Sequence, residues 1–379
     1  MRPSAFTLLG ALLGILLLAS CTSLPFRGER LRRPEDVPAA LERAERRFAA
    51  GRTGEALEIL RQARKVSGLP IEVRGQIDVG IERYADKRIE ELSRPGSDPG
   101  ELADLLELNL PRQLAVTAGV RAARMRLEEG RPYKAFKLIK KVDSQYPLHH
   151  ERREAGEILA RAGLALADDP WSFLGLFRRR DDGIEVLEYL VVNYPSEARC
   201  DEAYFKLGVV YAEDGLWDLA RQRFEDLVLN YRGSPLAVQA EALIPRMRLL
   251  AIQSPEYDRS QLVKARVELE TWLERHAGSD LEPSVRIDLA DCLQRLVEGD
   301  LSIARFYHRV HRSFGARFHA QRALEVADRA GSERLVARAA SMLERIPDVA
   351  SLPRREVPVG SVQIDPEERL GLEGQEQEP

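Results

Sequence analysis

Residues 204–227 read YFKLGVVYAEDGLWDLARQRFEDL, and this stretch decides the fold. Tyr204, Leu207, Gly208 and Tyr211 recur at helical spacing, so they fall on one face of a first helix. Asp214-Gly215 breaks it, because glycine adopts the backbone conformations that turns require. Ala220, Phe224 and Leu227 then form the stripe of a second helix, whose small first residue lets the other helix come close. The stretch predicts two helices packed face to face across a tight turn.

The same second-helix stripe recurs along the chain. Counting back 11, 7 and 4 places from Tyr146 finds Ala135, Ile139 and Val142. The same offsets before Tyr194 find Gly183, Leu187 and Leu190, and before His276 they find Ala265, Leu269 and Trp272. Ala320, Leu324 and Ala327 make a fifth instance, and Arg43-Ala44 with the Gly51-to-Ala56 run makes a plausible first unit. Residues 71–110 read as helical around a Pro95-to-Pro99 turn, without clear markers. A helix pair cannot bury its face alone, so repeated pairs stack, and the expected class is all-α, a helical-repeat superhelix or α-solenoid.

The 204–227 unit resembles a tetratricopeptide repeat, whose pattern sets a bulky residue, Leu, Gly and Tyr on the first helix and Ala and Phe on the second. The markers recur at intervals longer than the roughly 34 residues of that repeat, so loops must differ between units. Composition agrees with packed helices. The chain of 379 residues is 44% hydrophobic but only 6% aromatic, and rich in Ala, Leu, Arg and Glu.

A formal net charge of -4 with no concentrated basic surface excludes nucleic acid as the expected partner. Cys200 and Cys292 lie far apart in helical segments and read as buried small apolar residues rather than a disulfide or metal pair. No Gly-rich phosphate loop, Gly-x-Ser-x-Gly or His-Glu-x-x-His motif occurs, so no catalytic residue, cofactor or metal is expected. His308, His311 and His319 have no matching carboxylate or cysteine, and His149-His150-Glu151 reads as a solvated turn.

At the N-terminus, Arg2, an apolar run from Ala5 to Leu18 and the small residues before Cys21 form a secretory signal. The Leu18-Ala19-Ser20-Cys21 box resembles that of bacterial lipoprotein precursors. That resemblance implies cleavage before Cys21 and its acylation by diacylglycerol and a palmitate-type chain. Two or three acyl chains hold a protein at a bilayer where one is marginal. Thr22 stands where the inner-membrane retention signal has Asp, so the periplasmic face of the outer membrane is the expected location. The layout expected is a signal peptide at 1–20, a lipidated linker at 21–36, divergent helical repeats at 37–181, a second set of repeats at 182–346 and a disordered tail at 347–379.

Over residues 182–330 the order of features resembles the BamD family of repeat lipoproteins. The features are the turn at 229–235, Glu256-Tyr257-Asp258, Trp272 to Ser279, and a long helical run ending Ile303-Ala304-Arg305-Phe306-Tyr307. The resemblance implies a non-catalytic scaffold that docks on the periplasmic domains of a β-barrel assembly subunit and helps receive unfolded outer-membrane proteins. It also carries a partner-contacting arginine over to Arg322. The turn from Arg309 to Gly315 reads as longer than in the family. The repeats of residues 37–181 precede the matching part, which keeps a second reading open: a repeat lipoprotein of another envelope process, such as cell-envelope coordination, secretion or polysaccharide export.

Two stretches carry the candidate partner contacts. Arg305, Arg309 and Arg322 belong to a basic run that is either a solvated face or a set of guanidinium forks for partner carboxylates. Trp171, Phe173 and Phe177 stand beside Arg178-Arg179-Arg180 in an insertion. They either cover the repeats' own core, meet a partner or lie on a bilayer.

Overall fold

The computed structural model describes residues 31–168, 179–196, 199–252 and 259–347. Among them the chain is all-α, with paired helices in the order that the stripes predict. The first pairs are α1 (Val37–Ala49) with α2 (Thr53–Arg64), then α3 (Ile71–Leu92) with the short α4 (Pro99–Asp104) and a 3-10 turn at Leu105–Leu108. Next come α5 (Arg112–Glu128) with α6 (Pro132–Gln145), α7 (Arg152–Ala167) with α8 (Arg179–Asn193), and α9 (Cys200–Glu213) with α10 (Trp217–Asn230). The series ends with α11 (Pro235–Ala251), α12 (Arg259–Arg275), α13 (Glu282–Arg309), α14 (Ser313–Arg329) and α15 (Glu333–Glu344). No described helix is long and apolar enough to cross a membrane.

The chain divides into two compact units, one up to Ala237 and one from Val238. In the first, a single hydrophobic core joins every helix pair from Val37 to Leu207. Its repeating element is the second-helix stripe: Ala135, Ile139 and Val142, then Leu187 and Leu190, then Ala220, Phe224 and Leu227 are all buried. Gly208 explains how α9 reaches α10. A Cβ there would lie 2.4 Å from Cε1 of Phe224, so only glycine allows that ring to seat on the backbone. Gly215, at φ +73, makes the turn between the two helices. Farther back, the Asp98 side chain accepts from the Gly100 amide at 2.8 Å and starts α4 immediately after the Pro95-to-Pro99 turn.

The marker residues end their helices, and three of them reach back to an earlier element. The amides of Tyr146, Tyr194, Tyr231 and His276 each donate to the carbonyl four places earlier. The Tyr194 hydroxyl donates to Asp143 at 2.7 Å, the Tyr231 hydroxyl to the Pro195 carbonyl at 2.5 Å, and His276 Nε2 lies 3.1 Å from Glu241. At Tyr194 and Tyr231 a local stop signal thus doubles as a tether to the preceding pair, whereas His276 ties α12 to α11.

His149 is not in a solvated turn, as the sequence suggested. It is buried, with Nε2 3.1 Å from Asp143, whose carboxylate also accepts from Tyr189 at 2.8 Å. Burial pushes the Asp143 carboxyl up, but the bonds from His149, Tyr194 and Tyr189 outweigh it and hold the group below the usual carboxylate range.

In the second unit, the 28-residue α13 is about 42 Å long at 1.5 Å per residue. It joins two cores: Val285, Cys292 and Leu296 pack with Trp272 and Leu269 of α12, while Val297, Leu301 and Ala304 pack with α14 and α15. Cys200 and Cys292 are both buried free thiols. Burial pushes Cys292 up to about 12, and its Sγ donates to the Leu262 carbonyl. Arg248, also buried, spans from α11 to Glu268 and Gln261 of α12.

Candidate protein-interaction surface

The α13–α14 hairpin carries the Ala-x-Phe-Tyr segment, and its geometry gives each residue a role. Ala304 is fully buried against α14. Tyr307 lies over Gly315, where an added Cβ would sit 3.0 Å from the ring, and it stacks on His319 with centroids 5.7 Å apart. Phe306, one place earlier on the helix, is turned outward. Together with Val310, Phe314 and Phe318 it forms an exposed apolar face, Phe314 being 75% accessible. Phe314 and Phe318 are four residues apart on α14 and therefore share one side of it. Large apolar side chains gathered on one exposed face mark an interaction site more often than scattered ones do.

The connection itself is short. α13 ends at Arg309 and α14 begins at Ser313, leaving Val310, His311 and Arg312, with His311 at φ +56. The bounds of the Arg309-to-Gly315 turn suggested by the sequence are thereby narrowed: Ser313 and Phe314 already belong to α14.

The arginines divide into two kinds. Arg305 and Arg309 are exposed, and neither has a carboxylate partner among the described residues. Arg322 is half-buried and turned inward: its Nε donates at 3.0 Å to both oxygens of Asp300. Asp300 is fully buried, and it also accepts from Arg259 of α12 at 3.3 Å and from His319 Nδ1 at 3.2 Å. Burial pushes its carboxyl up, but the bonds from Arg322, Arg259 and His319 prevail and hold it below the ordinary carboxylate range. The guanidinium of Arg322 also lies 5.3 Å from the Phe318 ring centroid, a cation–π contact under the apolar face. One buried carboxylate thus ties α12, α13 and α14 to one another.

Cys21, Trp171, Phe173 and Phe177 lie outside the described residues. Of the basic triplet beside the insertion, Arg180 donates to the Val210 carbonyl at 2.9 Å and pairs with Glu213 and Asp214, joining the start of α8 to the end of α9. Sequence reasoning missed Asp300 and Asp143, the acceptors at the centre of the two buried networks. Among the described residues no three His, Cys, Asp or Glu side chains gather as metal ligands.

A tetratricopeptide-repeat family model matches residues 202–234, which contain α9 and α10 almost entire. No curated protein matches the sequence. A tetratricopeptide repeat protein from Parabacteroides merdae aligns at 11% identity over 82% of this chain and 99% of its own, with a TM-score of 0.23. The Cut9-Hcn1 hetero-tetramer of APC/C aligns at 13% identity over 82% of this chain and 55% of that one, TM-score 0.25. The C-terminal part of a repeat protein from Cytophaga hutchinsonii aligns at 15% identity over 69% and 98%, TM-score 0.27. The helix-pair geometry and the match at 202–234 define the fold class: an all-α helical-repeat fold that is similar to tetratricopeptide repeats. Such a fold is a scaffold suited to protein–protein interaction, and exposed side chains on its helices are its means of recognition.

Proposed function

We propose that the protein is a periplasmic repeat scaffold of the β-barrel protein assembly machinery, held to the outer membrane by lipid on Cys21 and binding partner proteins without catalysis. The observation that carries this reading is the α13–α14 hairpin, where four exposed apolar residues accompany Arg305 and Arg309, which have no carboxylate partner among the described residues. An aromatic face rimmed by arginine is the composition of a protein interface, and the hairpin falls in the segment that resembles the BamD family. The partners proposed are a barrel-forming subunit with periplasmic domains and its unfolded clients. Trp171, Phe173 and Phe177 are proposed as further contacts.

Depletion of the protein from cells tests the function. Folded, heat-modifiable outer-membrane barrels should fall while their unfolded precursors accumulate in the periplasm. Unchanged barrel levels alongside a defect in secretion or polysaccharide export would replace this reading with the second.

A further inference from the structure

The last described helix presents a charged face that no other described helix covers. Leu335, Ala339 and Met342 of α15 pack into the core, while Arg334, Ala337, Arg338, Ser341 and Arg345 recur at helical spacing along another side. With Leu301 and Arg305 of α13, that side lines a cleft of about 420 Å³. Four guanidiniums therefore converge on one groove whose floor is apolar. Arg338 pairs with Glu298 at 3.4 Å, whereas Arg305, Arg334 and Arg345 have no carboxylate partner among the described residues. A second basic cleft, of about 300 Å³ beside Arg61 and Arg64, differs in this respect: Glu58 and Asp78 neutralise those two arginines. The α13–α15 groove fits an extended acidic segment, because guanidinium forks pair with carboxylates and Ala337 and Ser341 leave room for a backbone.

The chain itself carries such a segment beyond the groove. Arg345 lines it, Ile346 is buried, and the chain continues from Pro347. Residues 365–378, DPEERLGLEGQEQE, carry Asp365, Glu367, Glu368, Glu373, Glu376 and Glu378 against the single Arg369, with Leu370 and Leu372 between them. We infer that residues 365–378 dock in the α13–α15 cleft of their own chain, the carboxylates on the arginines and the leucines on the apolar floor. The 18 residues between Ile346 and Asp365 supply enough chain to span about 20 Å. A tether of that length holds the segment at millimolar effective concentration, so weak intrinsic affinity suffices. The inference stands on the cleft and the segment alone, and does not rest on the barrel-assembly reading.

The test uses the full chain in detergent and a fluorescent peptide of residues 362–379, followed by anisotropy at low salt. In one variant the chain's own segment is neutralised by Asp365→Asn, Glu367→Gln, Glu368→Gln and Glu373→Gln. The peptide should bind that variant about tenfold more tightly than the unaltered chain, whose cleft is already filled. Adding Arg334→Ala and Arg345→Ala should remove the gain, as should Ala337→Glu, which places a carboxylate in the groove at an exposed position. Equal binding to the neutralised and unaltered chains, or binding indifferent to these substitutions, would overturn the inference. So would sedimentation showing a dimer that depends on the same carboxylates, since the segment would then lie on a second copy.

Discussion

Arg322 donates to Asp300 from within the hairpin, holding a fully buried carboxylate with Nε at 3.0 Å from both oxygens. An arginine in that position is part of the fold before it is part of any interface. Removing one member of a buried ion pair leaves the other charge uncompensated, at a cost of about 3 kcal/mol. Arg322→Ala and Asp300→Asn should each lower the stability of the second unit by that order, read as a shifted urea midpoint. Wild-type midpoints for both would show that the pair contributes little.

Arg305→Glu with Arg309→Glu should behave in the opposite way. Both side chains are exposed and have no carboxylate partner among the described residues, so charge reversal should leave helicity and melting temperature unchanged while weakening recovery of the partner. Undiminished recovery would remove these two arginines from the interface.

The two buried carboxylates predict how acid acts. Asp143 and Asp300 have folded values below the ordinary 3.8, so their stabilisation is present in full above about pH 4 and is lost as pH falls through the lower folded values. The melting temperature should therefore decline steeply below pH 4, and the Asp143→Asn, Asp300→Asn double variant should show a flatter acid limb. A double variant as acid-sensitive as the parent would place the titration elsewhere.

Two glycines in helices should respond with opposite signs. In Gly208→Ala the new methyl meets the buried Phe224 ring, an overpacking that costs about 1–3 kcal/mol and outweighs the gain in helix propensity. At Gly75 an added Cβ meets nothing within 4 Å, so Gly75→Ala should stabilise by about 0.5–1 kcal/mol. Chemical denaturation of the two variants checks both signs.

What was legible in the sequence follows from how burial is encoded. The Ala-Phe-Leu stripe of α10 and its counterparts are readable because one-sided burial leaves a local 3.6-residue period. The Asp214-Gly215 break is readable because a turn restricts residue choice. Asp143 leaves no such trace: its partner Tyr194 is 51 positions away, and an aspartate among 61 acidic residues looks like any other until the chain closes. His149 was misread because its partner Asp143, only six positions back, looks like any other aspartate until Tyr189 and Tyr194 close over it. Arg322 was singled out by a resemblance, and only the fold shows that Asp300 lies beneath it.

Purification of the native protein from detergent-solubilised membranes, with mass spectrometry of everything that accompanies it, tests the central claim most directly. A large β-barrel subunit with several periplasmic domains should be recovered in stoichiometric amount with a chain that begins at acylated Cys21. Recovery of export or peptidoglycan proteins in its place, or of a chain with an unmodified start, would contradict the account.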